Sequence, residues 1–280
     1  MKTREVKKIV KGYATVDGAG VKLIRVLGRE DIRDIDPFLM LDAFGSNDPD
    51  DYIKGFPMHP HRGIETITYL LEGRVDHKDS LGNGGTLLAG DLQWMTAGSG
   101  ILHEEMPKVT ETKEMRGLQF WLNLPQKEKM VPPHYFPISP DMTKRIDSEA
   151  GIVRLISGSY LGNQGVAPQH VEITMMDVQL KRGAECDLPI ANELNTFVYI
   201  IDGAGYFGDS RTPVQAHSAA IFGEGDAVRA QAMDSGIRFV LLAGKPLNEP
   251  IAWGGPIVMN TDGELRNAFI ELQTGTFIKR

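Results

Sequence analysis

The sequence predicts an all-β fold of two antiparallel sandwiches or barrels in tandem, with few short helices. Three observations lead to this prediction. The 280-residue chain contains 31 glycines and 16 prolines, above the roughly 7% and roughly 5% of average proteins, so it is rich in turns. Short apolar runs punctuated by glycine recur along the chain, and one in the first half resembles one in the second half. The length suits one large domain or two domains of about 140 residues.

The apolar runs have the length of strands and are rich in β-branched and aromatic residues. In chain order they are VKLIRVLG (21–28), TITYLLEG (66–73), GTLLAGDLQWMTAG (85–98), RGLQFWLNLP (116–125), VEITMMDVQL (171–180), TFVYIIDGAGYFG (196–208) and IRFVLLAG (237–244). Two segments are predicted to be helical. One is the polar stretch 139–150, and the other is 261–272, where Leu265, Phe269 and Leu272 have helical spacing.

A weak internal repeat relates the two halves of the chain. The stretch TITYLLEG at 66–73 aligns with TFVYIIDG at 196–203, and Gly90-Asp91 aligns with Gly225-Asp226. Repeated all-β halves of this kind indicate two similar barrels in one chain.

The boundary between the halves is predicted within residues 126–150, which are rich in lysine, proline and acidic residues. We therefore expect an N-terminal domain at 1–135 that holds the candidate site, and a C-terminal domain at 136–280.

The charge and the cysteine content exclude some classes of function. The net charge of −7 argues against direct binding to nucleic acid or to anionic membranes, which requires a basic surface. The single cysteine allows no internal disulfide, which fits a reducing compartment. No signal peptide and no run of about 20 apolar residues is evident. We expect a cytoplasmic protein, or also a nuclear one if the source is eukaryotic.

The segment HPHRGIE (59–65) contains the first candidate ligands. In an extended segment His59 and His61 project to the same side, because alternate residues of a strand share a face. Pro60 favours an extended backbone at His59. An isolated pair of this kind is more often found in a turn than on a metal.

A second pair, His103 and Glu105 in GILHEEM (100–106), has the same spacing. Two strands that each offer such a pair can converge on one ion, with a shell of three imidazoles and one carboxylate. This mixed set suits Fe(II), Mn(II), Ni(II), Cu(II) or Zn(II) and leaves two open positions on a six-coordinate ion. Glu65 is a further candidate, as a ligand, as an acceptor for an imidazole N–H, or as the partner of Arg62 or Arg116.

These residues lie in segments that closely resemble the pirin family of the cupin superfamily. The similar stretches are HPHRG, ITYLLEG, GDLQWMTAG, ILHEEMP and RGLQFWLNLP within residues 55–125, and PIAWGGPIVMNT at 250–261. The resemblance implies a bicupin with two cupin (jelly-roll-like) β-barrels and Fe(II) bound only in the N-terminal barrel. By matched position the ligands are His59, His61, His103 and Glu105.

The resemblance implies two alternative roles. Some bacterial members resemble quercetin 2,3-dioxygenases, which open a flavonol ring with O₂ and release carbon monoxide. Eukaryotic members are linked to transcriptional co-regulation as iron redox sensors. We expect a monomer that takes a small aromatic, flavonol-like substrate and O₂, or one that binds a protein partner such as a transcription or metabolic factor. A metal held for stability alone is a third interpretation.

In the dioxygenase interpretation Glu105 is also the candidate catalytic base for the flavonol 3-hydroxyl. The sequence leaves open whether Glu105 binds the metal or moves the proton. Five residues are candidates for an apolar pocket, although ordinary barrel packing is the simpler interpretation of each: Trp94, Met95, Met106, Phe120 and Trp121. His77 is predicted to lie in a loop.

The internal repeat predicts that the C-terminal half has no metal site. Shifted by the two offsets of the repeat, the positions of the candidate ligands and of Glu65 fall on Pro189, Ala191, Asn195, Arg238 and Val240. None of these offers the imidazole or carboxylate of its counterpart. The C-terminal half is then a structural or interaction barrel.

Overall fold

The computed structural model describes residues 1–167 and 170–279. Its strands are β1 Val6–Lys11, β2 Tyr13–Asp17, β3 Val21–Leu27, β4 Phe38–Ser46, β5 Phe56–His61, β6 Ile64–Glu72, β7 Arg74–Asp79, β8 Gly84–Leu88, β9 Leu92–Thr96, β10 Ile101–Lys108, β11 Met115–Asn123, β12 His134–Ile138, β13 Lys144–Asp147, β14 Gly151–Ser157, β15 Ser159–Tyr160, β16 Asn163–Gln164, β17 Ile173–Leu180, β18 Glu185–Pro189, β19 Asn195–Phe207, β20 Thr212–Gln215, β21 Ser218–Phe222, β22 Ala227–Gly244, β23 Ala252–Gly254 and β24 Ile257–Met259. The α-helices in these ranges are α1 Ile32–Ile35 and α2 Asp262–Thr274. The predicted all-β fold with few short helices is therefore confirmed.

Two compact units make up the chain, and the candidate ligands lie in one of them. This unit, called the histidine unit below, comprises Tyr13–Arg25, Phe38–Pro140 and Leu247–Arg280. The second unit comprises Met1–Gly12, Val26–Pro37 and Asp141–Pro246. The predicted boundary at 135 and 136 lies near the Pro140–Asp141 junction, but each unit also includes a segment from the opposite end of the chain. Compactness thus follows strand pairing, such as that of β1 with β21, rather than one cut in the sequence.

The histidine unit is built on two antiparallel sheets. One has seven strands in the order β12-β9-β6-β11-β4-β3-β2, and the other has four in the order β5-β10-β7-β8. The side chains of Thr68 on β6 and Gln93 on β9 reach Glu105 on β10. Strand β6 is buried on both faces over all but its last residue, which explains its nearly continuous run of apolar and β-branched residues.

The second unit is built on a nine-stranded sheet. Its main path is β1-β21-β19-β22-β17-β14-β13, with β18 paired to β22 and β20 paired to β19. Alternate residues of these strands form one apolar core. Within it the Phe207 ring packs edge-on against Phe222 at 6.0 Å and against Phe239 at 5.5 Å between centroids.

The two helical predictions have opposite outcomes. The helix predicted at 139–150 is wrong, because Lys144–Asp147 form β13 and pair with β14, and Ile146 packs on the core of the second unit. Tertiary pairing outweighs a weak local pattern here. The helix predicted at 261–272 is confirmed by α2, which begins with a capping box between Thr261 and Glu264.

The second anchor of the internal repeat is wrong. Strand β9 pairs with β6 and β21 pairs with β19, so β9 and β21 correspond. Gly90-Asp91 lies before β9, between β8 and β9, whereas Gly225-Asp226 lies after β21, between β21 and β22. The strand pairs give a better match between the units. His59 lies opposite His103 in the pairing of β5 with β10, and Pro189 lies opposite Ala227 in the pairing of β18 with β22.

The counterpart of His103 is therefore Ala227, and not Arg238 as the sequence offset suggested. Arg238 lies in the part of β22 that pairs with β17, and forms an ion pair with Asp177 at 2.7 Å. Among the described residues, the only group of three or more metal-type side chains with converging ligand atoms lies in the histidine unit.

Within the described residues, no helix is both long enough and apolar enough to cross a bilayer.

Candidate metal centre

Three histidines converge where β5 meets β10. His59 lies opposite His103, and His61 lies opposite Ile101, in an antiparallel ladder. The strand alternation places the three imidazoles on one face. Their ring centroids are 4.3 to 5.0 Å apart, and their ligand nitrogens all lie within 4.8 Å of one another. Two ligands on one ion with bonds of about 2.1 Å are at most about 4.2 Å apart, and the 3.1 Å between the Nε2 atoms of His59 and His61 meets this limit.

The hydrogen bonds of His59 and His61 fix which ring nitrogen faces the site. Nδ1 of His59 lies 2.9 Å from the carbonyl oxygen of Pro57, and Nδ1 of His61 lies 3.2 Å from that of Pro256. A carbonyl only accepts, so each Nδ1 carries the proton. Burial lowers the pKa of both rings, that of His61 to about 3, so both are neutral near pH 7. Each Nε2 therefore presents a lone pair.

These two lone pairs face each other, since the two Nε2 atoms are only 3.1 Å apart. With both protons held on Nδ1, this contact cannot be a hydrogen bond. Two converging lone pairs repel unless a cation lies between them. The donor set therefore fits a metal ion, with the Nδ1–H···O=C bonds in the orienting role that such bonds have around metals.

His103 gives a second, independent sign of a missing partner. The side chain is 1% exposed, and neither ring nitrogen has a hydrogen-bond partner within the described parts of the chain. Burial and the neighbouring imidazoles hold the pKa of His103 well below its usual range. A neutral buried imidazole without partners is costly, and a metal bond to one nitrogen would remove much of that cost.

Glu105 lies two residues after His103 on β10 and is outside the imidazole cluster. Strand β5 has one extra residue between the partners of His103 and Glu105, so Glu105 lies opposite Phe56. Its Oε1 accepts a hydrogen bond from the Thr68 hydroxyl at 2.8 Å, and also one from the Gln93 amide. Burial raises the pKa of Glu105 to about 7. The structure thus brings together three of the four predicted ligands and places the fourth on the same strand as His103.

Glu65 is not on the face that the sequence suggested. Gly63, with φ of 75°, turns the chain between β5 and β6, so the alternation that begins at His61 does not continue to Glu65. Its carboxylate accepts hydrogen bonds from Trp94 Nε1 at 3.1 Å and from the Thr96 hydroxyl at 2.7 Å. Thr68 lies three residues further along β6, on the face opposite to Glu65, and it is the residue that contacts Glu105.

We expect Glu65→Ala to leave the metal stoichiometry unchanged and to destabilise the fold by about 1–3 kcal/mol, because Trp94 and Thr96 lose a buried acceptor. Metal analysis and urea unfolding of the same preparation would test this. Loss of metal in a folded Glu65→Ala protein would restore Glu65 as a ligand candidate.

Arg62, a candidate partner of Glu65, contacts the C-terminal end of the chain. Its guanidinium lies 2.8 Å from Glu271 Oε2 and donates to the carbonyl of Phe277, also at 2.8 Å. The Phe277 ring lies against it, 4.1 Å from the guanidinium carbon. Sequence reasoning missed this contact, because nothing in the local pattern links residues separated by more than 200 positions.

His77 was also misplaced by sequence reasoning. It lies on β7 and not in a loop, directly opposite Glu105 on β10. Its ring is 5.5 Å from that of His103 and is stacked on Tyr135 at 4.3 Å. Burial lowers its pKa. The available signal was the spacing of His77 and Asp79, which repeats the two-residue spacing of both ligand pairs.

Among the predicted pocket residues, Trp121 is the one that touches the imidazole cluster. Its ring lies 5.0 Å from that of His61 and nearly perpendicular to it, and Trp253 lies 6.0 Å further on. Trp94, Met95 and Phe120 are core residues, each at most 4% exposed. Ordinary barrel packing is the role of these three.

Two sequence models of the pirin family match the chain. The model described as Pirin matches residues 20–122, and the Pirin C-terminal cupin domain matches residues 175–278. A pirin-like protein of Caulobacter vibrioides is 42% identical over 280 residues, which is 99% of this chain and 100% of the relative. Pirin of Homo sapiens is 40% identical over 261 residues, 92% of this chain and 88% of the relative.

A solved structure shows the same relationship in three dimensions. The crystal structure of quercetin 2,3-dioxygenase from Acinetobacter baumannii has a TM-score of 0.90 and 32% identity, and covers 98% of each chain. The two family models together match well over half of the sequence, and the first spans all three converging histidines. The chain that holds this imidazole cluster is therefore a bicupin and belongs to the pirin family.

Proposed function

We propose that the protein is a mononuclear Fe(II) dioxygenase of the quercetin 2,3-dioxygenase type, which opens a flavonol ring with O₂. The observation that carries the metal site is the 3.1 Å approach of the unprotonated Nε2 atoms of His59 and His61. The similarity to the Acinetobacter protein named quercetin 2,3-dioxygenase supports the reaction class. Other divalent transition metals suit the same donors.

The ligands we assign are His59, His61, His103 and Glu105. When bound, the metal supplies Lewis-acid activation and orientation of the flavonol oxygens. His59 and His61 would each bind through Nε2, the nitrogen that the Nδ1–H bond to a carbonyl leaves free.

We assign Glu105 as the base that accepts the proton of the flavonol 3-hydroxyl. A pKa of about 7 suits a base that works near neutral pH. Thr68 and Gln93 both donate to Oε1, so Oε2 is the oxygen available for the metal or for the proton. Trp121 and Trp253 offer aromatic faces beside His61, where a flat ring can stack.

The direct test is reconstitution with Fe(II) under argon, followed by quercetin and O₂. We expect loss of flavonol absorbance together with release of carbon monoxide. His103→Leu protein, treated in parallel, controls for free iron. Absence of turnover in protein whose iron content has been verified would reject the enzymatic function.

The alternative is a non-catalytic iron protein whose metal state is sensed by a protein partner. The exposure of residues beside the site favours this alternative. His59 is only half-buried, and the adjacent Met58 is 49% exposed. A partner could contact this rim directly. The reconstitution experiment separates the two functions, since only the enzyme consumes the flavonol.

A further inference from the structure

We propose that Lys129 and Arg62 are positioning residues for the metal ligand His61, and that they act through residues 256–258. The inference rests on the metal-binding part of the proposed function and does not depend on the dioxygenase reaction. It assigns a role in the metal centre to the C-terminal segment, defined here as residues 247–279.

His59 and His61 are oriented by carbonyls of very different origin. His59 bonds to Pro57, two residues away, so its orientation is local. His61 bonds to Pro256, which is 195 positions away in the sequence. The Nδ1-protonated form of His61 therefore depends on how firmly the C-terminal segment is held against residues 61–63.

Arg62 makes the first set of bonds that hold the C-terminal segment against residues 61–63. Its side chain is 3% exposed and contacts Glu271 and the Phe277 carbonyl, as described above. Its backbone carbonyl accepts from Val258 N–H at 3.1 Å. Arg62 thus contacts the C-terminal segment both two residues after Pro256 and at the end of helix α2.

Lys129, which is 2% exposed, makes the second set of bonds between these segments. Its ammonium donates to the carbonyl of Gly63 at 2.7 Å and to that of Val258 at 3.0 Å. A third bond goes to the Asn123 side chain. All three donors of the ammonium are used, and two of them join the chain just after His61 to the chain just after Pro256.

The approach of these segments leaves little freedom. A Cβ on Gly63 would lie 2.0 Å from the Val258 carbonyl oxygen. The position of Pro256 relative to His61 is therefore set by the bonds of Arg62 and Lys129. Removing these bonds would move the carbonyl that holds the proton on Nδ1 of His61, and so would misorient Nε2.

The test is Lys129→Met, with Lys127→Met as the matched control, because Lys127 lies in the same turn but is 81% exposed. Long-range ¹⁵N–¹H spectra of the imidazoles are recorded on the metal-free full chain, and Zn²⁺ affinity is measured separately by competition with a chelator. In wild type and Lys127→Met, we expect His59 and His61 each to be a single Nδ1–H form.

In Lys129→Met we expect His61 to become a mixture of tautomers while His59 keeps its form, and Zn²⁺ affinity to fall roughly 10-fold or more. Glu271→Ala, whose site is 30% exposed, provides a milder variant that should fold and should change His61 in the same direction. Unchanged His61 spectra in both folded variants would overturn the proposal, and so would equal changes at His59 and His61. Wild-type protein that binds no Zn²⁺ would refute the metal site, whereas the spectra of the metal-free protein would still test the positioning roles.

Discussion

Replacing His103 by leucine is expected to abolish stoichiometric metal binding while leaving the metal-free protein at least as stable as wild type. Without metal, both ring nitrogens of this buried side chain lack partners within the described residues. Leucine has a similar volume and no polar atom to desolvate. Removing an unsatisfied buried polar group is worth about 1–3 kcal/mol, which offsets the imperfect fit of the new side chain.

The two halves of this prediction are measured on one preparation. Metal content after reconstitution should fall from about one ion per chain to background, and the urea midpoint of the metal-free protein should not decrease. His134→Leu is the matched control, because His134 is exposed on β12 and should change neither value. A folded His103→Leu protein that retains one ion per chain would show that His103 is not a ligand. A marked loss of metal-free stability would show that His103 is satisfied by something other than a metal.

The opposed effects also distinguish a binding site from a structural cluster. Core residues are selected for packing, so their removal lowers stability in every state of the protein. Here the stabilising partner of His59, His61 and His103 is absent from the chain itself. The metal-free cluster is then a local conflict between folding and binding, as is common at functional sites.

The sequence predicted the imidazole cluster because the rule involved is local. Two-residue spacing on a strand fixes a common face, and it placed His59 with His61 correctly. The same rule failed for Glu65 because it was applied across Gly63, whose positive φ ends the alternation. It was not applied to His77 and Asp79, because His77 was expected in a loop, whereas the structure has β7 there.

The rest of the site lies beyond local rules. The Pro256 carbonyl, the Arg62–Glu271 ion pair and the bonds of Lys129 join segments that meet only in the folded chain. The internal repeat was misaligned for a related reason. Its first match relates β6 to β19, and these two strands have corresponding neighbours, β9 and β21. Its second match relates two glycine-aspartate turns, of which one precedes β9 and the other follows β21.

Metal affinity is expected to depend on pH through Glu105. A carboxylate must lose its proton to bind a metal, and burial raises the pKa of Glu105 to about 7 in the metal-free site. Below that pH each ion bound displaces one proton, so affinity should rise about tenfold per pH unit between about pH 5 and pH 7 and then level off. Burial lowers the pKa of all three histidines, which reduces their own contribution to this slope.

The same shift has the opposite sign for the metal-free fold. Glu105 binds its proton more tightly when folded than in the unfolded chain, where its pKa is about 4.3. Its contribution to stability is therefore fully present below about pH 4 and is lost as the pH rises through about 7. Rising pH should weaken the metal-free protein and strengthen metal binding over one shared interval.

Glu105→Gln tests both consequences and the role of the carboxylate. Glutamine keeps an oxygen that can accept from Thr68 but cannot titrate, so the part of the slope of Ni²⁺ affinity between pH 5 and pH 7 that comes from Glu105 should disappear. At pH 8 the affinity should also fall, because a neutral amide is a poorer ligand than a carboxylate. Calorimetric titrations in buffers of different ionisation enthalpy count the protons released. If Glu105→Gln instead kept the wild-type affinity at pH 8, Glu105 would not be a ligand, and its elevated pKa would point to proton transfer alone.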